Sequence, residues 1–370
     1  MEQKGDRVPL AVAMALALVG SVLLVAVALP RFGALSEAPN PTLFSYELAD
    51  GTTLEGLSVD MREYLHAVEH FSGDADAPDV APFTRRVGIT WLAGQLPYSA
   101  PVALNVVVLA VLCAGLFALM AALRRLALPT PILAAAAAVY AVAFPVFYWG
   151  SFNFVDGAVV GILAVFMYCL VTARPGLALV ALAAGVVTKE SALVGLVAMV
   201  VWVWSSTMRT ATRWAWTVGA VGSAALGFVV AEWLGPTATT TYNPWLPTPS
   251  EMYGYMGNNV RITTVAQVVL TLALPVAGIV LAARRRGELS ARYPTQLLAM
   301  LWAGVAAAAL LGLQAFVTAQ LDGRTVWTAY PFALTLGAMA LDDLLSERRT
   351  ASAGHADGAP DERAAESRPS

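Results

Sequence analysis

Charged side chains are scarce in this chain. Only 13% of its 370 residues are Asp, Glu, Lys or Arg, whereas 58% are hydrophobic, and the mean hydropathy is +0.67. A single membrane span needs about 20 predominantly apolar residues, and the sequence contains many such runs. The composition does not fit a soluble protein of this length, and it predicts an all-α, polytopic membrane protein.

Cysteine is nearly missing, and no segment is strongly basic. Cys113 and Cys169 both fall in apolar runs, so a disulfide framework is not expected. The lack of a basic patch argues against a nucleic-acid partner, and membrane lipids are the expected surroundings instead. The polar stretches do not form a soluble catalytic domain. The sequence therefore disfavours the class of enzyme that uses a soluble nucleotide-sugar as its donor.

Hydropathy divides residues 1–345 into ten predicted spans. The first follows Lys4 and Arg7, and its apolar run is too long for a signal-peptide core, so it indicates an uncleaved signal anchor. Arginine is concentrated in the connections on the side of the N-terminus, as the positive-inside rule expects for the cytoplasm. We therefore predict a multi-pass protein of the cell membrane with both termini in the cytoplasm. The spans cover about 8–30, 101–122, 130–149, 154–173, 176–188, 191–207, 214–234, 263–283, 295–316 and 325–345.

Two long connections fall on the predicted extracytoplasmic face. The first, 31–99, carries ten acidic residues against four arginines and is expected to contain amphipathic helices. The second, 235–262, is rich in aromatic residues and in prolines, which predict irregular structure through its first half. The sequence 346–370 is polar and lacks apolar periodicity, which predicts a disordered cytoplasmic tail.

Residues 57–71 of the first outer loop have the pattern of an amphipathic helix. Apolar residues recur at about 3.6-residue spacing, while Asp60, Glu63, Ala67 and His70 lie on a second stripe. A helix of this kind can lie in the headgroup layer, which would hold Asp60 over a cavity in the helix bundle. A solvated polar face without a further role is the alternative. The apolar stripe consists of Leu57, Met61, Tyr64, Leu65, Val68 and Phe71.

The predicted span 176–188 is too short to cross a bilayer. Its 13 residues rise about 20 Å, whereas the hydrocarbon core is about 30 Å thick. Lys189 and Glu190 are therefore expected below the outer surface, where charges cost several kcal/mol unless they are paired or hydrated. A water-filled cavity would hydrate them; a thinned bilayer or a snorkelling Lys189 are alternatives. Asp156 begins the preceding span, where an acid can also simply favour a helix N-terminus.

The polar groups of the predicted outer face combine acids with cations. A carboxylate can deprotonate an acceptor hydroxyl, and Lys or Arg can stabilise a departing phosphate, so the set suits group transfer from a lipid-anchored donor. Arginines here can equally pair with lipid headgroups. Glu63, His66 and His70, spaced i, i+3 and i+7, offer a competing metal site, so a divalent ion stays open as a cofactor. The outer groups are Asp60, Glu63, His66, Glu69, His70, Arg85, Arg86, Asp156, Lys189, Glu190, Arg261 and Arg324.

The order of these features resembles the GT-C superfamily, the polytopic glycosyltransferases that use polyprenyl-phosphate sugars and include mannosyltransferase-like and aminoarabinose-transferase-like members. The resemblance covers residues 1 to about 345. It rests on Asp60 with Tyr64 in the first loop, then Pro82-Phe83, Arg85-Arg86 and Leu96-Pro97, then Asp156, then Thr188-Lys189-Glu190-Ser191, and finally Arg324 before Tyr330-Pro331.

The resemblance implies transfer of a hexosyl or pentosyl group from a lipid-linked donor to an extracytoplasmic acceptor in the cell envelope. It places Asp60 as the catalytic base, or as a metal ligand in metal-dependent members. It places Lys189 and Arg324 at the donor phosphate. Arg261, which falls on the same predicted outer side, is a further candidate from its position alone. Many members have an acid directly beside the first-loop Asp; here Glu63 is the nearest acid, and we expect it to share the catalytic role with Asp60. Supporting roles fall on Tyr64, Arg85, Arg86, Asp156 and Glu190.

Two other classes of function stay open from the sequence. A transporter or flippase for a lipid or small solute would use the short hairpin 176–207 as a broken-helix element, although no repeat between two halves is visible. A membrane protein without catalysis would leave the outer polar residues scattered. The oligomeric state is not indicated by the sequence.

Overall fold

The computed structural model describes residues 8–32, 44–78, 80–241, 247–318 and 323–356. About 80% of it is helical, so the expectation of an all-α, multi-pass membrane protein is confirmed at that level. Within these ranges, six helical segments are long and apolar enough to cross a membrane by length and composition. They are Leu10–Arg31, Ala100–Arg125, Thr130–Trp149, Thr210–Leu234, Ile262–Arg284 and Thr295–Thr318.

The described residues form α-helices joined by short connections and a few short strands. The helices are α1 (Leu10–Ala28), α2 (Val59–Ser72), α3 (Val87–Gly94), α4 (Ala100–Arg125), α5 (Thr130–Val142), α6 (Phe144–Trp149), α7 (Asp156–Val171), α8 (Pro175–Thr188), α9 (Leu193–Trp204), α10 (Thr210–Leu234), α11 (Pro249–Asn259), α12 (Ile262–Arg284), α13 (Arg286–Arg292), α14 (Thr295–Thr318), α15 (Gly323–Trp327) and α16 (Tyr330–Ala356). The strands are β1 (Phe44–Glu47), β2 (Thr53–Leu57), β3 (Val80–Ala81) and β4 (Thr240–Thr241), and 3₁₀ turns cover Leu29–Arg31, Phe83–Arg85 and Glu190–Ala192.

Each of the ten predicted spans overlaps a helix, but not all are long enough to count as spanning. Helices α7, α8 and α9 have only 16, 14 and 12 residues. The third predicted span is divided into α5 and α6 at Ala143, since Pro145 cannot donate a helical hydrogen bond. Six segments therefore have the length and composition of a membrane span, and the number of ten spans stays a prediction.

Helix α7 lies near the centre of the bundle and packs most closely on α4. Gly161 of α7 faces the backbone of Val111, and Gly115 of α4 faces Gly161, so neither position has room for a Cβ. Small residues at such crossings are typical of membrane helices, because close backbone approach maximises van der Waals contact. Helix α7 also contacts α8 and α16, and its first residue, Asp156, is in contact with Lys189 at the end of α8.

The arginine-rich end of the bundle is tied together by its own contacts. Arg124 at the end of α4 donates to the carbonyl of Val8, before α1, at 2.9 Å. Arg285 pairs with Asp343 at 3.1 Å, and Arg292 pairs with Asp342 at 2.5 Å. These contacts bring connections that the positive-inside rule assigns to one side of the membrane to one end of the bundle. Which membrane side this is stays a prediction.

The opposite end carries the two long loops. In the first loop β1 pairs with β2 antiparallel, and α2 packs on α3 and α4. Strand β3 pairs in parallel with β4 of the second loop and so joins the two loops. In the second loop α11 begins with a capping box between Thr248 and Glu251. The strands and α11 were not predicted.

Two sequence expectations differ from the structure in this part of the chain. Helix α2 is buried on more than its apolar stripe, because Glu63 and Ala67 are buried as well, so it does not lie as a simple two-faced surface helix. At the other end, α16 continues to Ala356, so the first eleven residues of the predicted disordered tail, 346–356, are helical. Residues 357–370 lie outside the described part.

Candidate functional site

Helix α2 presents Asp60 from its first turn. Ser58 caps the helix, its hydroxyl accepting from the amide of Met61 at 3.4 Å. Met61, Tyr64 and Leu65 are fully buried against the bundle, which fixes the helix and leaves Asp60 one residue before this buried face. The Asp60 carboxylate accepts from Arg324 Nη1 at 3.0 Å, and 17% and 15% of these two side chains are exposed.

A second ion pair lies in the bundle itself. Lys189 Nζ donates to Asp156 Oδ1 at 2.6 Å, with only 14% of the lysine side chain and 2% of the aspartate side chain exposed. Helix α8 ends at Thr188, and Lys189 is extended, so its side chain reaches back to the start of α7. Gly88 of α3 allows this approach, because a Cβ there would lie 2.8 Å from the Thr188 hydroxyl.

A third ion pair connects the outer loop to the tip of the α8–α9 hairpin. Arg86 Nε donates to Glu190 Oε2 at 3.0 Å, and its Nη2 donates to Oε1 of the same carboxylate. This two-point geometry is the strong form of an arginine–carboxylate pair. Arg86 Nη1 also donates to the Tyr64 hydroxyl at 3.0 Å, so the arginine bridges α2 and the hairpin.

Burial and the neighbouring charges set the protonation states of Tyr64 and Arg86, the two groups of the first outer loop that contact each other. Burial raises the pKa of Tyr64, because the phenolate would lose its hydration, and Arg86 and Lys189 offset only part of this. Burial alone would lower the pKa of Arg86, but the carboxylate of Glu190 raises it above its ordinary value. At neutral pH the Tyr64 hydroxyl is therefore neutral and Arg86 is cationic.

The three pairs form one electrostatic unit. The charges of Asp60, Asp156 and Lys189 all interact electrostatically with Tyr64. The charges of Arg324 and Arg86 both interact electrostatically with Asp156. Because three acids face three bases, the formal charge of the unit is zero, and every cation already has a carboxylate partner. We call this unit the six-charge cluster; it consists of Asp60, Asp156, Glu190, Arg86, Lys189 and Arg324.

An aromatic layer borders the cluster. The Arg324 guanidinium lies 4.0 Å from the centre of the Phe154 ring and 5.3 Å from that of Trp149. The loop that carries Phe154 is held by a pair of asparagines: Asn153, with a left-handed φ of 57°, donates its amide to Asn105 Oδ1 at 3.0 Å. This fixed loop leads directly into Asp156.

Arg31 is a further cation of this region, and no motif of the sequence pointed to it. Its guanidinium lies 4.1 Å from the centre of the Phe152 ring and 4.4 Å from that of Tyr148. Its Nε and Nη2 are buried without a hydrogen-bond partner among the described residues. The only sequence signal was its place at the end of the first span, which many arginines share.

Several of the predicted site residues lie away from the cluster. Glu63 is buried and bonded to Arg62 at 2.6 Å. Arg85 pairs with Glu232 at 2.6 Å on an exposed surface, because residues 83–85 form a 3₁₀ turn that points it away from Arg86. Arg261 is exposed before α12. The structure thus brings Glu190, Arg86 and Tyr64 to the site, but not Glu63, Arg85 or Arg261.

The competing metal site on α2, a weak alternative from the sequence, is not formed by the described residues. Within the described residues, no group of three or more His, Cys, Asp or Glu side chains could hold a metal ion. The physical reason is the position of Glu63: its side chain is buried and its carboxylate is held by Arg62, while His66 and His70 are partly exposed. The three side chains do not converge as ligands around one ion must.

No known family model, curated protein or solved structure matches this chain. The resemblance to the GT-C superfamily therefore rests on the sequence features alone.

Proposed function

We propose that this chain is an integral membrane glycosyltransferase of the GT-C type that moves a sugar from a polyprenyl-phosphate donor to an extracytoplasmic acceptor. The observation that supports the proposal is the six-charge cluster. Asp60 and Arg324 are 264 residues apart in the chain and are in direct contact. The buried Asp156–Lys189 pair acts on the same groups. A carboxylate and two cations at one partly exposed position are the groups that this transfer needs.

Asp60 is the proposed general base. As the acceptor hydroxyl attacks the anomeric carbon, a new carbon–oxygen bond forms and the bond from that carbon to the phosphate oxygen breaks. The bonding electron pair leaves on the phosphate, and the hydroxyl proton passes to Asp60. Arg324 and Lys189 would stabilise the charge that grows on the leaving phosphate.

The ion pairs set a condition on this reaction. The proposed base, Asp60, and the proposed phosphate-binding cation, Arg324, form an ion pair with each other in the structure. A donor phosphate would have to replace the carboxylate on Arg324, and this exchange would free Asp60 to accept a proton. Lys189 is held more tightly, since its pair with Asp156 is buried, and it would act as a fixed charge behind Arg324.

The proposed side of the reaction is extracytoplasmic. The cluster lies at the end of the bundle that carries the long loops, whereas Arg124, Arg285 and Arg292 hold the other end together. The positive-inside rule assigns an arginine-rich end to the cytoplasm, which supports an outward-facing cluster.

The experiment is a transfer assay on the purified full-length protein, with a panel of radiolabelled polyprenyl-phosphate hexoses and pentoses. Asp60→Asn should lower the rate by about 10²–10⁴-fold, the usual effect of losing a general base. Asp74→Asn is the matched control, because Asp74 is an exposed acid of the same loop whose described bond is to Ser72. Equal transfer by both variants would refute the role of Asp60, and a non-catalytic ion-pair network would then be the better account.

A further inference from the structure

A groove at the arginine-rich end of the bundle is separate from the six-charge cluster. Helices α12 and α14 both pack on α16, and α13 closes the end between them. A pocket of about 560 Å³ lies there, within the usual range for ligand sites. Its lining residues are Ala283, Arg286, Leu289, Ser290, Thr295, Leu298, Ala299 and Trp302.

The polar and the apolar residues of the lining lie at different positions along the direction of α14. Arg286, Ser290 and Thr295 place a cation and two hydroxyls at the mouth, whereas Leu298 and Trp302 lie one and two turns farther along the helix. Seven residues of helix correspond to about 10 Å, so the apolar wall begins at the charged mouth and extends toward the middle of a spanning helix. A ligand that matches this lining has an anionic head and a hydrocarbon chain.

The charge at the mouth is available to such a ligand. The neighbouring Arg285 is bonded to Asp343 and Glu347, and Arg292 to Asp342. Within the described ranges, Arg286 has no carboxylate within ion-pairing distance, and it is exposed. Basic pockets between membrane helices at the cytoplasmic side are sites for anionic lipid headgroups, since the phosphate gains an ion pair while the chains stay in the hydrocarbon.

We propose that this groove binds one anionic glycerophospholipid, with the phosphate at Arg286 and an acyl chain along Leu298 and Trp302. The inference does not depend on the proposed sugar transfer. It assigns a function to an arginine-rich segment in which Arg285 and Arg292 are engaged in ion pairs within the protein.

The test is native mass spectrometry of the full-length protein with phosphatidylglycerol or phosphatidylcholine that carry the same acyl chains. Arg286→Gln should weaken phosphatidylglycerol binding about fivefold, the effect of one arginine at a membrane surface, and should weaken phosphatidylcholine binding less, because the choline ammonium already offsets the charge of that lipid's phosphate. Arg209→Gln is the control, because Arg209 is an exposed arginine between α9 and α10 that does not line the groove. Equal weakening by the two variants would indicate general surface attraction and overturn the proposal.

Two further variants test the apolar part of the groove. Ala299→Phe fills it, and Trp302→Leu removes part of its wall without adding bulk. Both should lower the binding of both lipids, because both lipids would place a chain there. Binding that stays at the wild-type level in these two variants, with folding verified by thermal unfolding, would also overturn the proposal.

Discussion

Two ion pairs of this protein have the same length but opposite surroundings, and this allows an internal comparison. Lys189 and Asp156 are 2.6 Å apart with 14% and 2% of their side chains exposed. Arg85 and Glu232 are also 2.6 Å apart, with 57% and 63% exposed. Removing one partner of a buried pair costs about 3–5 kcal/mol, because a charge stays buried without compensation. An exposed pair contributes about 0–1 kcal/mol.

We therefore expect Lys189→Met to lower the free energy of unfolding by about 3–5 kcal/mol and Arg85→Met by less than about 1 kcal/mol. The assay is reversible unfolding in mixed micelles with increasing dodecyl sulfate, followed by far-ultraviolet circular dichroism. The double variant Asp156→Asn/Lys189→Met should recover part of the loss, since no unpaired charge then stays in the bundle. An equal cost for the two single lysine and arginine variants would refute the reasoning, because it would mean that Asp156 and Lys189 are well hydrated.

Two further predictions concern the loop and the topology. Tyr64→Phe removes the hydroxyl that accepts a hydrogen bond from Arg86. Because hydrogen bonds to charged groups contribute about 1.5–3 kcal/mol, the same assay should show a loss of unfolding free energy in that range. An unchanged unfolding midpoint would contradict the buried contact. In a background without the two native cysteines, a cysteine at Asp74 should react with an impermeant maleimide added to intact cells, whereas one at Gly287 should react only after lysis. The reverse labelling pattern would contradict the predicted orientation.

Local parts of the site could be predicted from the sequence. The spacing of Met61, Tyr64 and Leu65 predicted the helix that holds Asp60, and α2 covers Val59–Ser72. The shortness of the span before Lys189 predicted that its charge must be paired or hydrated at depth, with a water-filled cavity as the expected solution. In the structure the lysine is paired with Asp156. Both inferences depend on helical periodicity and on the cost of burying a charge, which act within short stretches of chain.

The choice of partners could not be predicted in the same way. Arg85 and Arg86 are adjacent in sequence, yet one lies on the exposed surface and the other enters the cluster. The division follows from the turn at Phe83–Arg85 and from the position of the α8–α9 tip, which are set by tertiary packing. Arg31 was missed for the same reason, since the two rings around it come from the later segment 148–152.

One overlooked signal was local. The sequence from Thr248 to Glu251 has the pattern of a capping box, and both of its hydrogen bonds are present at the start of α11. The preceding prolines suggested an irregular loop, but Pro249 lies in the first turn, where its missing amide hydrogen costs nothing. A helix in this loop could therefore have been predicted from four residues.

The central claim is that a donor phosphate replaces Asp60 on Arg324, and the affinity for sugar-free polyprenyl phosphate tests it most directly. Asp60→Asn removes the carboxylate that competes for Arg324, and this variant should bind the phosphate about tenfold more tightly. The factor corresponds to about 1.5 kcal/mol for one hydrogen bond to a charged group. Arg324→Gln removes the cation and should bind the phosphate at least tenfold more weakly. Opposite changes in these two variants are what the account predicts. No saturable binding to the wild type, or an equal loss of affinity in both variants, would contradict it.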